Sequence, residues 1–143
     1  MVLVDLVSIL KRNLRNDDLL ARFGGDEFCV LLKNVNVRQA NLVAEKLGHA
    51  VEQSKVTLGE SDTSFGYTIS IGIAPILGGM LDFQEVVARA DYALYQSKEH
   101  GRNRVSCISS EQISKDKLVE TNNIILLINE ALNTNRLVLY FQP

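Results

Sequence analysis

The sequence predicts an α+β domain in which helices flank a mixed β-sheet. Three observations favour this class. Apolar residues recur at helical spacing in several segments, β-branched residues alternate with other residues elsewhere, and a glycine pair with acidic neighbours joins two short apolar runs. Helices and strands are therefore interspersed along the chain, with a β-hairpin near its start.

The first third of the chain is predicted to place one helix before the hairpin and one after it. The apolar residues of LVDLVSILKRNL, at 3–14, fall on one face of a helix, which the polar segment RNDD ends. Residues 19–23 and 28–32 then predict two short strands that meet at the sequence GGD. Residues 37–53 again have helical apolar spacing.

The remaining elements follow after a polar loop. Gly101 occupies the position of a C-cap glycine, and Asp82 precedes the helical pattern that this glycine ends. The predicted elements are a polar loop at 57–66, a strand at 67–76, a helix at 83–98 and a strand at 102–108.

A change in composition after residue 108 predicts a domain boundary. Residues 1–108 form the first unit, and residues 109–143 form a polar linker, a further helix at 118–134 and a strand beginning RLVLYF. The chain thus adds a helix and a strand to an α-β-β-α-β-α-β order.

Composition indicates a soluble globular protein. Hydrophobic residues make up 46% and charged residues 22% of the chain, and the formal net charge of -2 gives no reason to expect a nucleic-acid polymer as partner. Cys29 and Cys107 lie in apolar runs without metal-binding spacing, which predicts reduced thiols in a cytoplasmic protein. A longer parent protein can still be anchored in a membrane through other segments.

The stretch ARFGGDEFCVLL, residues 21–32, contains the most informative motif. A glycine pair permits positive φ and close approach of another group, and two carboxylates beside a tight turn can reach one hard cation. The local sequence alone fits a solvated acidic turn equally well.

Two further motifs decide between these interpretations. RFGGDEF, TISIGIA and ADYALYQSKEHGRNRV occur in this order in the predicted hairpin, strand and helix. Together they closely resemble the GGDEF domain of diguanylate cyclases, which make cyclic di-GMP from two molecules of GTP. The resemblance implies a palm-like, nucleotidyl cyclase-type sheet and a Mg²⁺-dependent (or Mn²⁺-dependent) phosphoryl transfer.

The resemblance assigns residues to this reaction. It implies that Asp26 and Glu27 are the catalytic, metal-binding acids and that Gly24 and Gly25 let the nucleotide lie against the backbone. Lys98 and Arg102 match the cations that bind the triphosphate; alone, they also fit partners of a helix C-terminus. Because two GTP-loaded domains must meet, a homodimer is expected.

A second, product-binding site is implied by RNDD. Arg15 and Asp18 form the R-x-x-D of the family's inhibitory site, where they would hold cyclic di-GMP. By itself this tetrapeptide also fits a helix end with solvated charges. A helper arginine that the family often has is replaced here by Gly48, for which Lys46 would be a poor substitute.

The resemblance also implies that the first strand and helix of the family domain are lacking. That strand carries a metal-binding aspartate, and residues after it read guanine, so we expect this chain alone to be inactive. The strand would lie between the hairpin and TISIGIA, so another chain's strand or the chain's own LVLYF is expected to fill the gap.

The C-terminal segment INEALNTNRLVLYFQP resembles the opening of EAL-type cyclic di-GMP phosphodiesterase domains. It implies that residues 109–143 are a linker and the beginning of an EAL domain attached in the parent. The main function hypothesis is a fragment of a cyclase domain. The alternatives are a non-catalytic module that senses GTP or cyclic di-GMP and regulates the EAL enzyme, and a scaffold used only for dimerisation.

Overall fold

The computed structural model describes residues 2–57, 63–76 and 83–108, and the backbone of residues 136–142. Its elements are α1 (Val2–Asn13), β1 (Leu19–Gly24), β2 (Glu27–Lys33), α2 (Val37–Glu52), β3 (Val56–Thr57), β4 (Ser64–Phe65), β5 (Ser70–Ile76), α3 (Phe83–Glu99), β6 (Val105–Cys107) and β7 (Arg136–Gln142).

The predicted α+β class and the predicted order of helices and strands are confirmed in the described part of the chain. The structure differs around the predicted polar loop at 57–66, where β3, at its start, and β4, near its end, form a separate two-stranded sheet. Strands of two residues are too short to show an alternating pattern. The predicted linker and helix at 109–134 lie outside the described residues.

The boundaries of two strands also differ from the prediction. β5 begins at Ser70 and not at Tyr67, and β6 spans three residues where the sequence predicts seven. Tyr67 has another role, since its hydroxyl donates a hydrogen bond of 3.0 Å to the Asp5 carboxylate and so links α1 to the segment before β5.

The main sheet has five strands in the order β1-β2-β7-β5-β6. β7 is antiparallel to both neighbours, so β2 and β5 run parallel to each other, and β5 and β6 are also parallel. The prediction that a strand lies between the hairpin and β5 is confirmed, and LVLYF, one of the two predicted occupants, lies within it.

Helices cover both faces of this sheet. Adjacent β2 residues Val30 and Leu31 belong to different hydrophobic clusters, as expected for a strand whose side chains alternate between two buried faces. α3 packs on the face of Leu31, and α1 and α2 pack on the face of Val30. The cluster beneath α1 and α2 includes Leu6, Leu10, Phe28, Val30, Leu47, Ile71 and Ile73.

α3 approaches β5 closely at a glycine. A Cβ added to Gly72 would overlap the Ala90 carbonyl oxygen and the Leu94 amide nitrogen and lie 2.9 Å from Leu94 Cα. Near the end of the helix, the buried Ser97 hydroxyl donates a hydrogen bond of 2.8 Å to the Ile71 carbonyl oxygen. These contacts fix the position of the C-terminal turn of α3 over the start of β5.

Among the described residues, no helix combines the length and the apolar character that a membrane span requires. Cys29 and Cys107 are free thiols, with Cys29 buried and Cys107 partly buried.

We expect alkaline pH to destabilise this fold. Burial raises the pKa of Cys29 from 9.0 to about 12. Burial, followed by the hydrogen bond to Asp5, raises the pKa of Tyr67 from 10.0 to about 12. Both groups lose their protons at lower pH in the unfolded chain. The stabilisation that comes from these two protonated groups is therefore fully present below about pH 9 and is lost as the pH rises towards 12.

Urea unfolding followed by circular dichroism at several pH values measures this decline. Cys29→Ala and Tyr67→Phe each remove one titrating group, so each variant should show a shallower pH dependence. A stability of the unmodified chain that stays constant between pH 8 and 11 would contradict the expectation.

Candidate functional site

The GGDEF sequence forms the turn of the β1–β2 hairpin. β1 ends at Gly24 and β2 begins at Glu27, so Gly25 and Asp26 are the two turn residues. Gly25 has φ 46°, a left-handed conformation that favours glycine. A Cβ added to Gly24 or Gly25 would meet no atom of the described residues within 4 Å, so the backbone of the turn faces open space on this part of the molecule. A ligand can therefore approach it closely.

The hairpin register shifts at the turn. Arg22 pairs with Phe28 and Gly24 pairs with Glu27, so Phe23 is the extra residue of a β-bulge. Phe23 packs against the hydrophobic clusters beneath α3. The bulge thus anchors the strand immediately before the turn.

The two acidic residues differ in exposure. Asp26 is exposed at the tip of the turn, and Glu27 is partly buried at the start of β2. Within the described ranges, no group of three or more histidine, cysteine, aspartate or glutamate residues is arranged to hold a metal ion. Asp26 and Glu27 fit a hard divalent cation in donor chemistry, since both offer carboxylate oxygens.

Lys98 and Arg102 lie where α3 ends. The Gly101 amide donates to the Lys98 carbonyl oxygen at 3.3 Å, and the Arg102 amide donates to the Ser97 carbonyl oxygen at 3.0 Å. Gly101 has φ 107°, which confirms the predicted C-cap glycine. In the part of the chain that the structure describes, neither the Lys98 ammonium nor the Arg102 guanidinium has a hydrogen-bond or ion-pair partner.

A contact that the sequence analysis missed holds the Arg102 loop. Arg102 and Asn103 have φ 60° and 46°, and the Asn103 side-chain amide donates a hydrogen bond of 2.8 Å to Glu52 Oε1 at the end of α2. Asn103 belongs to the ADYALYQSKEHGRNRV motif, but Glu52 is far from it in sequence and belongs to no recognisable motif, so no sequence signal indicates this pair.

The strand register relates these cations to the hairpin turn. Phe28 and Ile71 are both opposite Phe141, and Ile71 is also opposite Val105. The turn before β2 and the Arg102 loop before β6 therefore lie at the same edge of the sheet. With neighbouring strands about 4.8 Å apart, β2 and β6 are separated by roughly 14 Å.

The second pair, Arg15 and Asp18, lies at the opposite edge of the sheet. Asp18 Oδ2 accepts a hydrogen bond of 2.9 Å from the Arg15 amide, and Oδ1 accepts one of 3.4 Å from the amide of Lys33, the last residue of β2. The Asp18 carboxylate thus stabilises the turn between α1 and β1. The Arg15 side chain is exposed and unpaired among residues 2–57, 63–76 and 83–108.

A cavity of about 330 Å³ lies between α2 and the loop before β6. Gly48, the position of the expected helper arginine, lines it together with Glu45, His49 and Glu52. Arg104 also lines this cavity, so its charged side chains are two carboxylates and one guanidinium.

Comparison with known proteins agrees with the fold and with the motifs. Residues 1–104 match the family described as "Diguanylate cyclase, GGDEF domain". The chain therefore belongs to the GGDEF family.

Two curated relatives illustrate the similarity. Diguanylate cyclase A of Treponema denticola is 39% identical over 105 residues, which is 73% of this chain and 28% of the relative. The bifunctional diguanylate cyclase/cyclic di-GMP phosphodiesterase MucR of Pseudomonas aeruginosa is 31% identical over 144 residues, covering 100% of this chain and 20% of MucR. The chain therefore spans little more than a quarter of the length of diguanylate cyclase A and a fifth of the length of MucR.

Solved structures show the same fold. The GGDEF domain of DgcB from Caulobacter crescentus, in complex with c-di-GMP, has a TM-score of 0.69 and 28% identity, covering 74% of this chain and 62% of that one. Diguanylate cyclase SiaD of Pseudomonas aeruginosa, in complex with its activator SiaC, has a TM-score of 0.69 and 31% identity, covering 75% of this chain and 40% of SiaD.

Proposed function

We propose that residues 1–108 are part of a diguanylate cyclase domain that makes cyclic di-GMP from two GTP molecules within a longer parent protein. The observation that carries the proposal is the shared sheet edge. An open glycine turn with two carboxylates lies at the same edge as Lys98, in the last turn of α3, and Arg102, in the loop that follows, and neither cation has a partner among the described residues. This combination suits a metal-bound triphosphate.

Each residue then has a defined role. Asp26 and Glu27 would hold Mg²⁺ (or Mn²⁺), which would supply activation of an attacking oxygen and neutralisation of phosphoryl charge. Lys98 and Arg102 bind phosphate oxygens from the other side of the ligand. The open backbone of Gly24 and Gly25 leaves room for the nucleotide between the two acids and the two cations.

In this proposal, synthesis requires a second, facing domain. The described residues offer two carboxylates at the turn, and no residue that reads guanine has been assigned. The 3′-hydroxyl of one GTP must also reach the α-phosphate of another, which calls for two facing domains in a homodimer. We therefore propose that the 143-residue chain binds nucleotide but does not form product on its own.

Lys98→Ala and Arg102→Ala are each expected to weaken binding of a GTP analogue with Mg²⁺ by about tenfold, since each removes one charge-assisted contact. Titration calorimetry of the 143-residue chain measures the affinity. Arg38→Ala is the matched control. Arg38 is an exposed cation at the start of α2, and this helix begins just after the end of β2 that lies away from the GGDEF turn. Equal affinities for all three variants would refute the phosphate-binding role.

A second candidate is a regulatory module that binds GTP or cyclic di-GMP and controls an attached EAL phosphodiesterase. The alignment of MucR over the whole chain supports the attached phosphodiesterase in this candidate, and the name of MucR includes a cyclase activity as well. In this case Arg15 and Asp18 hold cyclic di-GMP at the opposite edge of the sheet. Turnover assays on the parent distinguish the candidates, because a regulatory module binds nucleotide without forming cyclic di-GMP.

A further inference from the structure

Arg22 contacts the GGDEF turn through two nitrogens of its guanidinium. Nε and Nη2 both donate to the Gly25 carbonyl oxygen, at 2.9 and 2.6 Å. Among the described residues the Arg22 side chain has no other hydrogen bond or ion pair, and it is exposed. Two short bonds to one oxygen therefore restrict a side chain that would otherwise sample many rotamers in solvent.

This contact also fixes the direction of the next amide. The peptide bond between Gly25 and Asp26 is trans, and the C=O and N–H of a planar trans peptide point in opposite directions. Because the Gly25 oxygen points towards Arg22, the Asp26 N–H points away from it. That N–H has no hydrogen-bond acceptor in the part of the chain that the structure describes.

The same contact strengthens the amide as a donor. A charged donor on a carbonyl oxygen polarises the whole peptide group and makes its N–H a better hydrogen-bond donor. The absence of side chains at Gly24 and Gly25 leaves the space around the turn open. An unpaired, polarised N–H beside open space is suited to an anionic oxygen.

We propose that Arg22 is a positioning residue that holds the Asp26 amide as a donor to a phosphate oxygen of the bound nucleotide. This inference rests on the proposed function. Arg22 acts through the Gly25 carbonyl and does not itself contact the ligand. The turn then offers two kinds of group to a nucleotide, since carboxylates take the metal and the backbone takes a phosphate.

The test combines affinity with the ¹⁵N–¹H signal of Asp26 in the 143-residue chain. The probe is an α,β-methylene analogue of GTP with Mg²⁺, which cannot be turned over. In the unmodified chain the Asp26 amide proton is expected to move downfield on saturation. Arg22→Lys keeps the charge but cannot make the two-nitrogen contact, so it should remove most of this shift and weaken binding about fivefold. Arg38→Lys is the control and should change neither.

The possible outcomes separate this inference from the proposed function. If the Arg22→Lys variant shows the same Asp26 shift as the unmodified chain, the inference is overturned. This holds even if the variant binds the analogue more weakly, because the weaker binding would then come from direct contact between Arg22 and the ligand. Binding that depends on Lys98 and Arg102 without any Asp26 shift overturns the inference alone. A failure of the unmodified chain to bind the analogue overturns both.

Discussion

Asp26→Ala is expected to lower cyclic di-GMP synthesis by the parent protein about a thousandfold. Asp26 lies exposed at the tip of the turn, where, in the proposed function, its carboxylate would bind the metal that would neutralise charge on the phosphoryl group. Its replacement leaves Glu27 as the one carboxylate of the turn. Chromatographic measurement of cyclic di-GMP formed from GTP and Mg²⁺ gives the rate.

Asp17→Ala provides the control for charge and composition. Asp17 is an exposed aspartate in the turn before β1, at the edge of the sheet opposite the GGDEF turn. This variant should retain full activity, and both variants should keep binding of cyclic di-GMP through Arg15 and Asp18. Synthesis above a tenth of the normal rate after Asp26→Ala would show that this carboxylate is not essential.

Gly72→Ala is expected to lower the free energy of unfolding by about 3 kcal/mol or more. The added methyl group would overlap backbone atoms of Ala90 and Leu94 in α3, and backbone atoms cannot rotate away as a side chain can. Relief requires α3 to move off β5, which would also displace Lys98. Urea unfolding followed by circular dichroism measures the loss.

Gly48→Ala makes the same chemical change in a permissive place. Gly48 lies inside α2, and a Cβ there would meet no atom within 4 Å, so alanine should stabilise the helix by about 0.5–1 kcal/mol. Opposite signs for the two variants would show that close packing, and not glycine as such, determines the effect. Similar stability of Gly72→Ala and the unmodified chain would contradict the close approach of α3 to β5.

Much of the architecture follows from local sequence. The apolar spacing predicts α1, α2 and α3 to within one or two residues, because each helix has one face buried against the sheet. The glycine pair predicts the hairpin, because a two-residue turn with positive φ at Gly25 needs a residue without a side chain. Both the apolar spacing and the glycine pair are local in sequence, because the residues that form each pattern also form the helix or turn that it predicts.

The rest depends on contacts between distant segments. No local pattern indicates that Asn103 contacts Glu52. Nor does one indicate that Tyr67 lies outside the strand and donates a hydrogen bond to Asp5. The contact between Arg22 and Gly25 is close in sequence, but it depends on the bulge at Phe23, which an alternating pattern does not reveal. The family resemblance indicates the candidate site residues, and the strand register shows which of them share an edge of the sheet.

The position of β7 has a consequence for the order in which the molecule is assembled. The hairpin carries the GGDEF turn, and the segment that connects β5 to β6 carries Lys98 and Arg102, yet the strand that joins the hairpin to β5 is synthesised after both. Pairing across such a long sequence separation is slow, because the entropy of closing a large loop opposes it. A nascent chain therefore holds two half-sheets with exposed edges until this strand leaves the ribosome, and during that interval it is most vulnerable to aggregation and proteolysis.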